Sequence, residues 1–281
     1  ADFCRSGLLD AKCLERWWFR GRLQQIGEPV FLKLVELQLI EDRPDLWNNA
    51  VHMFHAYYLD KETQRALPEE PTYRVLTSPA MVGEWRGSSV SYYWSRLASA
   101  FVAKYPGRAW EFFRAILRLG MKQWNLLADL DLSEEQVLAR LFKSDPERAW
   151  DCIAEVFPEG EGRSAFGIQH WLGDSGHRLP GDDGPGLIQF APSGKVFAWV
   201  DESVEERGRW LINALPKTLD QTPAGRLTRD FIARYGKVEV LGSSLWCHFH
   251  ARGWCGSASA YYRKLREQAR EWLAGEKNQT V

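Results

Sequence analysis

Apolar side chains recur every three or four residues in one segment of this chain after another, a spacing that is typical of amphipathic α-helices. The pattern predicts a helix over residues 8–26, further helices that begin at Glu28 and Pro44, and more helical segments over residues 90–157 and between residues 187 and 273. In the helix that begins at Glu28, the predicted inward positions are Phe31, Leu32, Leu34, Val35 and Leu39. Several of these segments begin with proline or a hydroxyl-bearing residue, which suits the first turn of a helix. The sequence therefore predicts an all-α protein.

One motif occurs twice, at a spacing of about 40 residues. Pro106-Gly107-Arg108-Ala109-Trp110-Glu111 returns as Pro146-Glu147-Arg148-Ala149-Trp150-Asp151. A fixed period of roughly 20 to 50 residues is typical of stacked repeats, and about 40 is the period of HEAT and armadillo helix pairs. Each proline forces the preceding helix to end, at Lys104-Tyr105 or at Ser144-Asp145. We predict an irregular HEAT/armadillo-like helical-repeat array, an α-solenoid of right-handed stacked helix pairs.

Two stretches rich in proline and glycine divide the chain. We predict N-terminal helical hairpins over residues 1–59, an irregular linker over 60–89 with at most a short helix around Tyr73, and the pair of about 40-residue repeats over 90–157. A glycine-rich linker over 158–186 precedes a C-terminal helical subdomain over 187–281. Within the repeats, Ser133 and Gln136 have the spacing of a capping box for the following helix.

The two copies of the motif differ in what their side chains are expected to do. Trp110 and Trp150 follow the apolar stripe of their helices, so both are predicted to lie in the core. Arg108 and Arg148 lie on the opposite side, where they are solvated, pair with acids of the next repeat, or form a row that faces a ligand. They are the charged residues that are identical in both copies. We therefore predict that they share a face of adjacent helices and contact an acidic protein surface.

Composition narrows the class of partner. The net charge is −1, so no general attraction to nucleic acid or to an anionic membrane is expected. Fourteen Trp, fourteen Phe and nine Tyr leave aromatic candidates for a contact surface. No apolar run approaches the roughly 18 residues of a membrane span. The cysteines are odd in number and scattered, which indicates a reducing cytoplasm without a disulfide framework; they are Cys4, Cys13, Cys152, Cys247 and Cys255.

The start of the chain has no methionine, no charged n-region and no apolar h-region, so no signal peptide is visible in it. We expect a fragment of a longer protein or a trimmed N-terminus. One cluster has residue types that bind metals, Cys247, His248, His250 and Cys255, but its spacing matches no zinc pattern. His52 and His55 have no carboxylate or cysteine one turn away. The glycine-rich segments lack the features of a calcium or phosphate loop. We predict no metal, no cofactor and no catalytic residue.

A resemblance adds to this picture near the C-terminus. Phe249-His250-Ala251-Arg252-Gly253-Trp254-Cys255-Gly256-Ser257-Ala258-Ser259 resembles a segment, F-x-S-G-x-W-S-G-P-x-S, near the C-termini of large bacterial STAND/NACHT-like and related NTPases of anti-phage defence systems. Upstream, Ala198-Trp199-Val200-Asp201-Glu202, with Arg207, is similar to their W-x-D-E-D stretch. The resemblance covers about residues 187–281 and fails at Ala251, Arg252, Cys255 and Ser257. It implies a helical array that senses a target or restrains an NTPase.

Three functions remain in competition. The first, which we favour, is a non-catalytic cytoplasmic module that binds a target protein or an NTPase partner or domain, without a membrane or nucleic acid as partner. Its predicted contact residues are Arg108, Arg148, Arg252, Trp254 and Gly256. The second is a HEAT-repeat alkylpurine DNA glycosylase, which the arginine pair permits but a pI near 6.7 disfavours. The third is a purely structural helical domain.

Overall fold

The computed structural model describes residues 23–39, 43–59, 65–83, 88–123, 125–131, 134–157, 166–173, 186–217, 219, 221–250, 263, 266, 267 and 270. These residues form thirteen α-helices, short 3-10 turns and connecting segments, and none of them forms a strand. The prediction of an all-α chain is confirmed. The chain divides into two compact units, unit 1 with residues 1–144 and 151–168, and unit 2 with residues 145–150 and 169–281.

Unit 1 contains most of the helices. They are α1 (Glu28–Leu39), α2 (Pro44–Tyr58), α3 (Glu69–Leu76), α4 (Ser88–Lys104), α5 (Ala109–Gly120), α6 (Leu126–Leu130) and α7 (Val137–Ser144). Two more, α8 (Pro146–Val156) and α9 (Phe166–Leu172), contribute residues to both units. The 3-10 turns Leu23–Gln25, Pro79–Met81 and Pro106–Arg108 precede α1, α4 and α5. No helix in the described part of the chain is long and apolar enough to cross a membrane.

Helix α3 lies inside the segment for which the sequence predicts an irregular linker, and it begins four residues before Tyr73. Its inner face is fully buried and consists of Thr72, Val75 and Leu76. Trp47 of α2 donates its indole N–H to the carbonyl of Val75 at 2.9 Å, and Trp94 of α4 donates to Leu76 at 3.1 Å. The last carbonyls of a helix have no partner within it, so these two buried bonds hold the end of α3 in place.

The repeated motif begins a helix in both copies. The preceding helices end at Lys104 and Ser144, as predicted, and Pro146 is the first residue of α8, whereas Pro106 opens a 3-10 turn that runs into α5. Trp150 is 1% exposed, which confirms its core position. Trp110 is only half-buried, so its predicted core position is wrong. The inner face of α5 is filled instead by Phe112, Phe113, Ile116 and Leu117.

The start of α7 differs from the predicted capping box. Ser133 lies outside the described residues, and α7 begins only after Gln136, whose φ is 41°. The first free N–H groups of the helix donate to Asp131 instead: Leu138 to Oδ1 at 3.0 Å and Ala139 to Oδ2 at 2.8 Å. Asp131 has no exposed surface. A buried carboxylate that comes before the turn therefore caps this helix.

Unit 2 contains the 3-10 turn Leu187–Phe190 and four further helices, α10 (Ser193–Asp201), α11 (Val204–Ala214), α12 (Pro223–Tyr235) and α13 (Glu239–His250). Thr222 Oγ1 accepts from the N–H of Gly225 at 3.2 Å, so Thr222 and Pro223 begin α12 as predicted. Edge-to-face tryptophan rings fill the core, with ring centres 5.6 Å apart for Trp150 and Trp199 and 5.4 Å apart for Trp199 and Trp210. Such pairs add to the stabilisation from burial alone.

Candidate functional site

A groove of about 290 Å³ lies between α1 and α3 in unit 1. Its apolar lining comes from both helices and consists of Pro29, Leu32, Val35, Leu39 and Pro71. Its charged lining consists of Lys33, Glu36, Glu70 and Arg74. An apolar centre within a charged border is the usual anatomy of a surface that binds another molecule.

The position of these side chains follows from how α1 packs. Phe31, Val35 and Gln38 are the buried residues of α1. The sequence also predicts Leu32 and Leu39 to point inward, but both are only half-buried and line the groove. The apolar stripe of α1 is thus wider than its contact with α2 requires. The apolar residues that are left half-exposed, Leu32 and Leu39, form one wall of the groove.

The charged border at the α1 side is a set of three paired residues. Lys33 Nζ lies 2.8 Å from Glu36 Oε2, and Arg74 Nη1 lies 3.7 Å from Glu36 Oε1. The hydrogen bond from Lys33, and then its charge, lower the pKa of Glu36, so this carboxylate is ionised at neutral pH. Two cations share one carboxylate, which leaves one net positive charge at this place.

A second charged group, the Arg108 cluster, consists of Arg108, Glu69, Glu70, Glu111 and Tyr73. Arg108 Nη1 lies 3.0 Å from Glu69 Oε1 and 3.3 Å from Glu70 Oε2, and its Nε lies 2.7 Å from Glu111 Oε2. Its guanidinium carbon is 4.4 Å from the centre of the Tyr73 ring. The hydrogen bonds to Glu111 and Glu69 raise the pKa of Arg108, and burial raises the pKa of Tyr73. Three carboxylates around one guanidinium leave two net negative charges.

Replacing Arg108 with alanine is expected to lower the free energy of unfolding by about 1 kcal/mol, because half-exposed ion pairs contribute roughly 0.2–1 kcal/mol each. Arg108→Lys should lower the free energy of unfolding by less than Arg108→Ala does, since it keeps the positive charge. Urea denaturation of both variants at low and high salt tests this. The loss should shrink as salt screens the glutamates. An unchanged stability at low salt would contradict the role of Arg108 as a link between α3 and α5.

Of the residues predicted to contact a partner, the structure describes Arg108 and Arg148. Arg108 belongs to unit 1, where its charge is paired with acids of α3 and α5 rather than with acids of the next repeat. Arg148 belongs to unit 2 and is exposed on α8, where its backbone N–H donates to Asp145 Oδ1 at 3.1 Å. Arg252, Trp254 and Gly256 lie outside the described residues. Contact of these five residues with a partner stays a prediction.

The histidines and cysteines singled out in the sequence occupy separate positions. The rings of His52 and His55 approach Tyr93, with ring centres at 4.6 Å and 4.7 Å. His248 Nε2 lies 3.0 Å from the carbonyl oxygen of Leu215, and Cys247 is an exposed free thiol. The side chain of His250 and all of Cys255 lie outside the described residues. Within the described ranges, no three His, Cys, Asp or Glu residues are grouped as metal ligands.

The Trp-x-Asp-Glu stretch that carries part of the resemblance is a packing element of unit 2. Trp199 is buried, and Arg207 lies over its ring at 5.1 Å while donating to its carbonyl at 2.8 Å. Glu202 pairs with Arg207 at 2.6 Å. Asp201 accepts from the hydroxyl of Tyr235 at 2.7 Å and pairs with Arg234. These residues hold α10 against α11 and α12.

The fold and the groove define an all-α protein with an apolar cleft that is bordered by charges. Comparison of the chain with protein-family models, with curated proteins and with solved structures found no match. The candidate site is the groove between α1 and α3, and the Arg108 cluster adjoins it through Glu70.

Proposed function

We propose that the chain is a helical recognition module that binds a protein partner, with the groove between α1 and α3 as its contact surface. The observation that carries the proposal is the half-exposed apolar wall of Leu32 and Leu39 within a charged border. Protein interfaces have an apolar centre that is surrounded by a polar rim.

The chemistry of the groove favours a protein over a small molecule. Small-molecule pockets measure roughly 300–1,000 Å³ and contain a few convergent polar groups. This groove is at the lower limit, with about 290 Å³. Its ion-paired polar groups, Lys33, Glu36 and Arg74, are exposed on the rim rather than enclosed. Apolar side chains of a partner fit such a surface better than a polar ligand does.

The proposed module is an irregular helical-repeat array that acts in a reducing cytoplasm. The odd number and scattered positions of the cysteines support that compartment. A bacterial defence NTPase, or a target that such a machine senses, is the partner class that the C-terminal resemblance favours. Arg148, Arg252, Trp254 and Gly256 are proposed as a further contact area. A DNA-binding enzyme is disfavoured because three carboxylates already surround Arg108.

A random-peptide display selection on the whole chain tests the proposed function. We expect enriched peptides that bind the wild-type chain and lose at least about 10-fold in affinity, equivalent to roughly 1.4 kcal/mol, on Leu32→Glu. The matched control is Val30→Glu, which changes a residue of the same helix that is 58% exposed and does not line the groove. Peptides that bind both variants alike, or the absence of any enrichment, would contradict the proposal.

A further inference from the structure

The groove has the length of a helix contact. Its α1 wall runs from Pro29 to Leu39, ten residue steps that span about 15 Å at a rise of about 1.5 Å per residue. Nearly three turns of a partner helix fit along this distance. Apolar side chains at positions i, i+3 or i+4, and i+7 would then meet Leu32, Val35 and Leu39.

Other recurring modes of peptide recognition do not fit this groove. Strand addition requires the edge of a sheet, and the described residues contain no strand. Polyproline segments require a groove lined by aromatic rings, and the nine lining residues include none. Phosphorylated segments require a cluster of arginines, whereas the two cations here, Lys33 and Arg74, both pair with Glu36. Of these four modes, a helix in a groove is the one that fits.

The charges give the groove a polarity. Lys33, Glu36 and Arg74 form a positive pole with one net positive charge, and the Arg108 cluster forms a negative pole with two net negative charges. Glu70 belongs to the negative pole and also lines the groove. It precedes Arg74 by four residues on α3, so the poles are separated by about one helical turn, roughly 6 Å.

We infer that the groove binds an amphipathic α-helix of another protein, with a carboxylate placed at the positive pole and a basic side chain one turn away at the negative pole. This inference rests on the proposed function and adds the chemistry of the partner. The apolar stripe supplies the affinity, because it removes Leu32 and Leu39 from water. The two charges set where along the groove the helix lies.

Synthetic 15-residue peptides test the inference by fluorescence anisotropy with the whole chain. The bipolar peptide has leucines at positions 4, 8 and 11, a glutamate and an arginine four residues apart beside them, and alanine and glutamine elsewhere. A neutral peptide replaces both charges with glutamine, and a broken peptide carries a central proline. We expect the bipolar peptide to bind at least about 3-fold more tightly than the neutral one at low salt. The broken peptide should bind at least about 10-fold more weakly than the bipolar peptide, because its central proline interrupts the helix.

Protein variants locate the contact. Leu32→Glu should abolish binding of the bipolar peptide, and Val30→Glu should leave it unchanged. Arg74→Glu and Glu70→Lys change exposed side chains, so they should leave the thermal melting temperature nearly unaltered. Arg74→Glu makes the positive pole net negative and Glu70→Lys makes the negative pole neutral, so each should reduce or abolish the preference for the bipolar peptide over the neutral one. Higher salt should reduce the same difference in the wild-type chain.

The possible failures are distinguishable. If selected peptides depend on Leu32 but the helical and broken peptides bind equally, the helix inference is wrong and the proposed function stands. If the bipolar peptide binds all charge variants alike, the polarity is wrong. If neither the selected nor the synthetic peptides respond to Leu32→Glu, the groove binds no protein segment, and both the inference and the proposed function fall.

Discussion

Replacing Trp150 with alanine is expected to lower the free energy of unfolding by roughly 3–5 kcal/mol, as for other fully buried aromatic residues. The indole is 1% exposed and packs edge-to-face on Trp199. The same replacement at Trp110, which is half-buried, should cost only about 1–2 kcal/mol. Urea denaturation followed by far-UV circular dichroism measures both. Equal losses at the two positions would mean that the two tryptophans are buried alike.

Trp150→Phe separates packing from hydrogen bonding at this position. The indole N–H of Trp150 finds no acceptor within the described part of the chain, so phenylalanine removes volume without breaking a bond there. We expect Trp150→Phe to lower the free energy of unfolding by about 1–2 kcal/mol, well below the loss expected for Trp150→Ala. A loss as large as that of alanine would show that the indole nitrogen itself matters.

Asp131→Ala is expected to be the second most damaging substitution, with a loss of roughly 2–3 kcal/mol. It leaves two N–H groups of α7 without their acceptor, and buried unsatisfied groups cost roughly 1–3 kcal/mol each. Asp131→Asn keeps one acceptor oxygen and should lose about half as much. The midpoints of urea unfolding provide the measurement. If alanine and asparagine are both tolerated within about 0.5 kcal/mol, the carboxylate does not hold α7.

Helix starts were the most predictable feature, because they depend on residues that are adjacent in sequence. Pro44, Pro146 and the Thr222-Pro223 pair all begin helices where local chemistry places them. The cap of α7 was not predictable in the same way. Ser133 has the expected spacing, but Asp131 is the residue that accepts from the helix. The choice between two nearby polar residues depends on how the turn packs, which a local pattern does not contain.

Helix α3 contains the short helix predicted around Tyr73, but it begins four residues earlier. Three prolines, Pro68, Pro71 and Pro79, make this segment read as irregular, yet Pro71 is the third residue of α3, where no N–H is needed within the helix. The buried bonds from Trp47 and Trp94 then stabilise its end. These contacts come from residues 18 to 28 positions away. Tertiary contacts of this kind leave no trace in local periodicity.

The candidate site was predictable only in part. The identity of Arg108 and Arg148 in the two copies singles out Arg108 in the sequence, but the carboxylates that surround it come mainly from α3, some 38 and 39 positions earlier. The groove had one signal in the sequence, the excess of apolar positions on α1. Five apolar residues were assigned to one inward face, and the structure buries only Phe31 and Val35 of them.

Three tryptophans in contact within unit 2 should give this unit its own circular dichroism signal. The ring of Trp199 lies edge-to-face with that of Trp150 and with that of Trp210, and all three residues belong to unit 2. Indoles this close couple their electronic transitions, so the trio should produce a paired positive and negative band in the circular dichroism of the native chain. The contribution of these three rings reports the order of unit 2. Its disappearance, compared with the loss of total helix signal, therefore shows whether the two units melt together or one after the other.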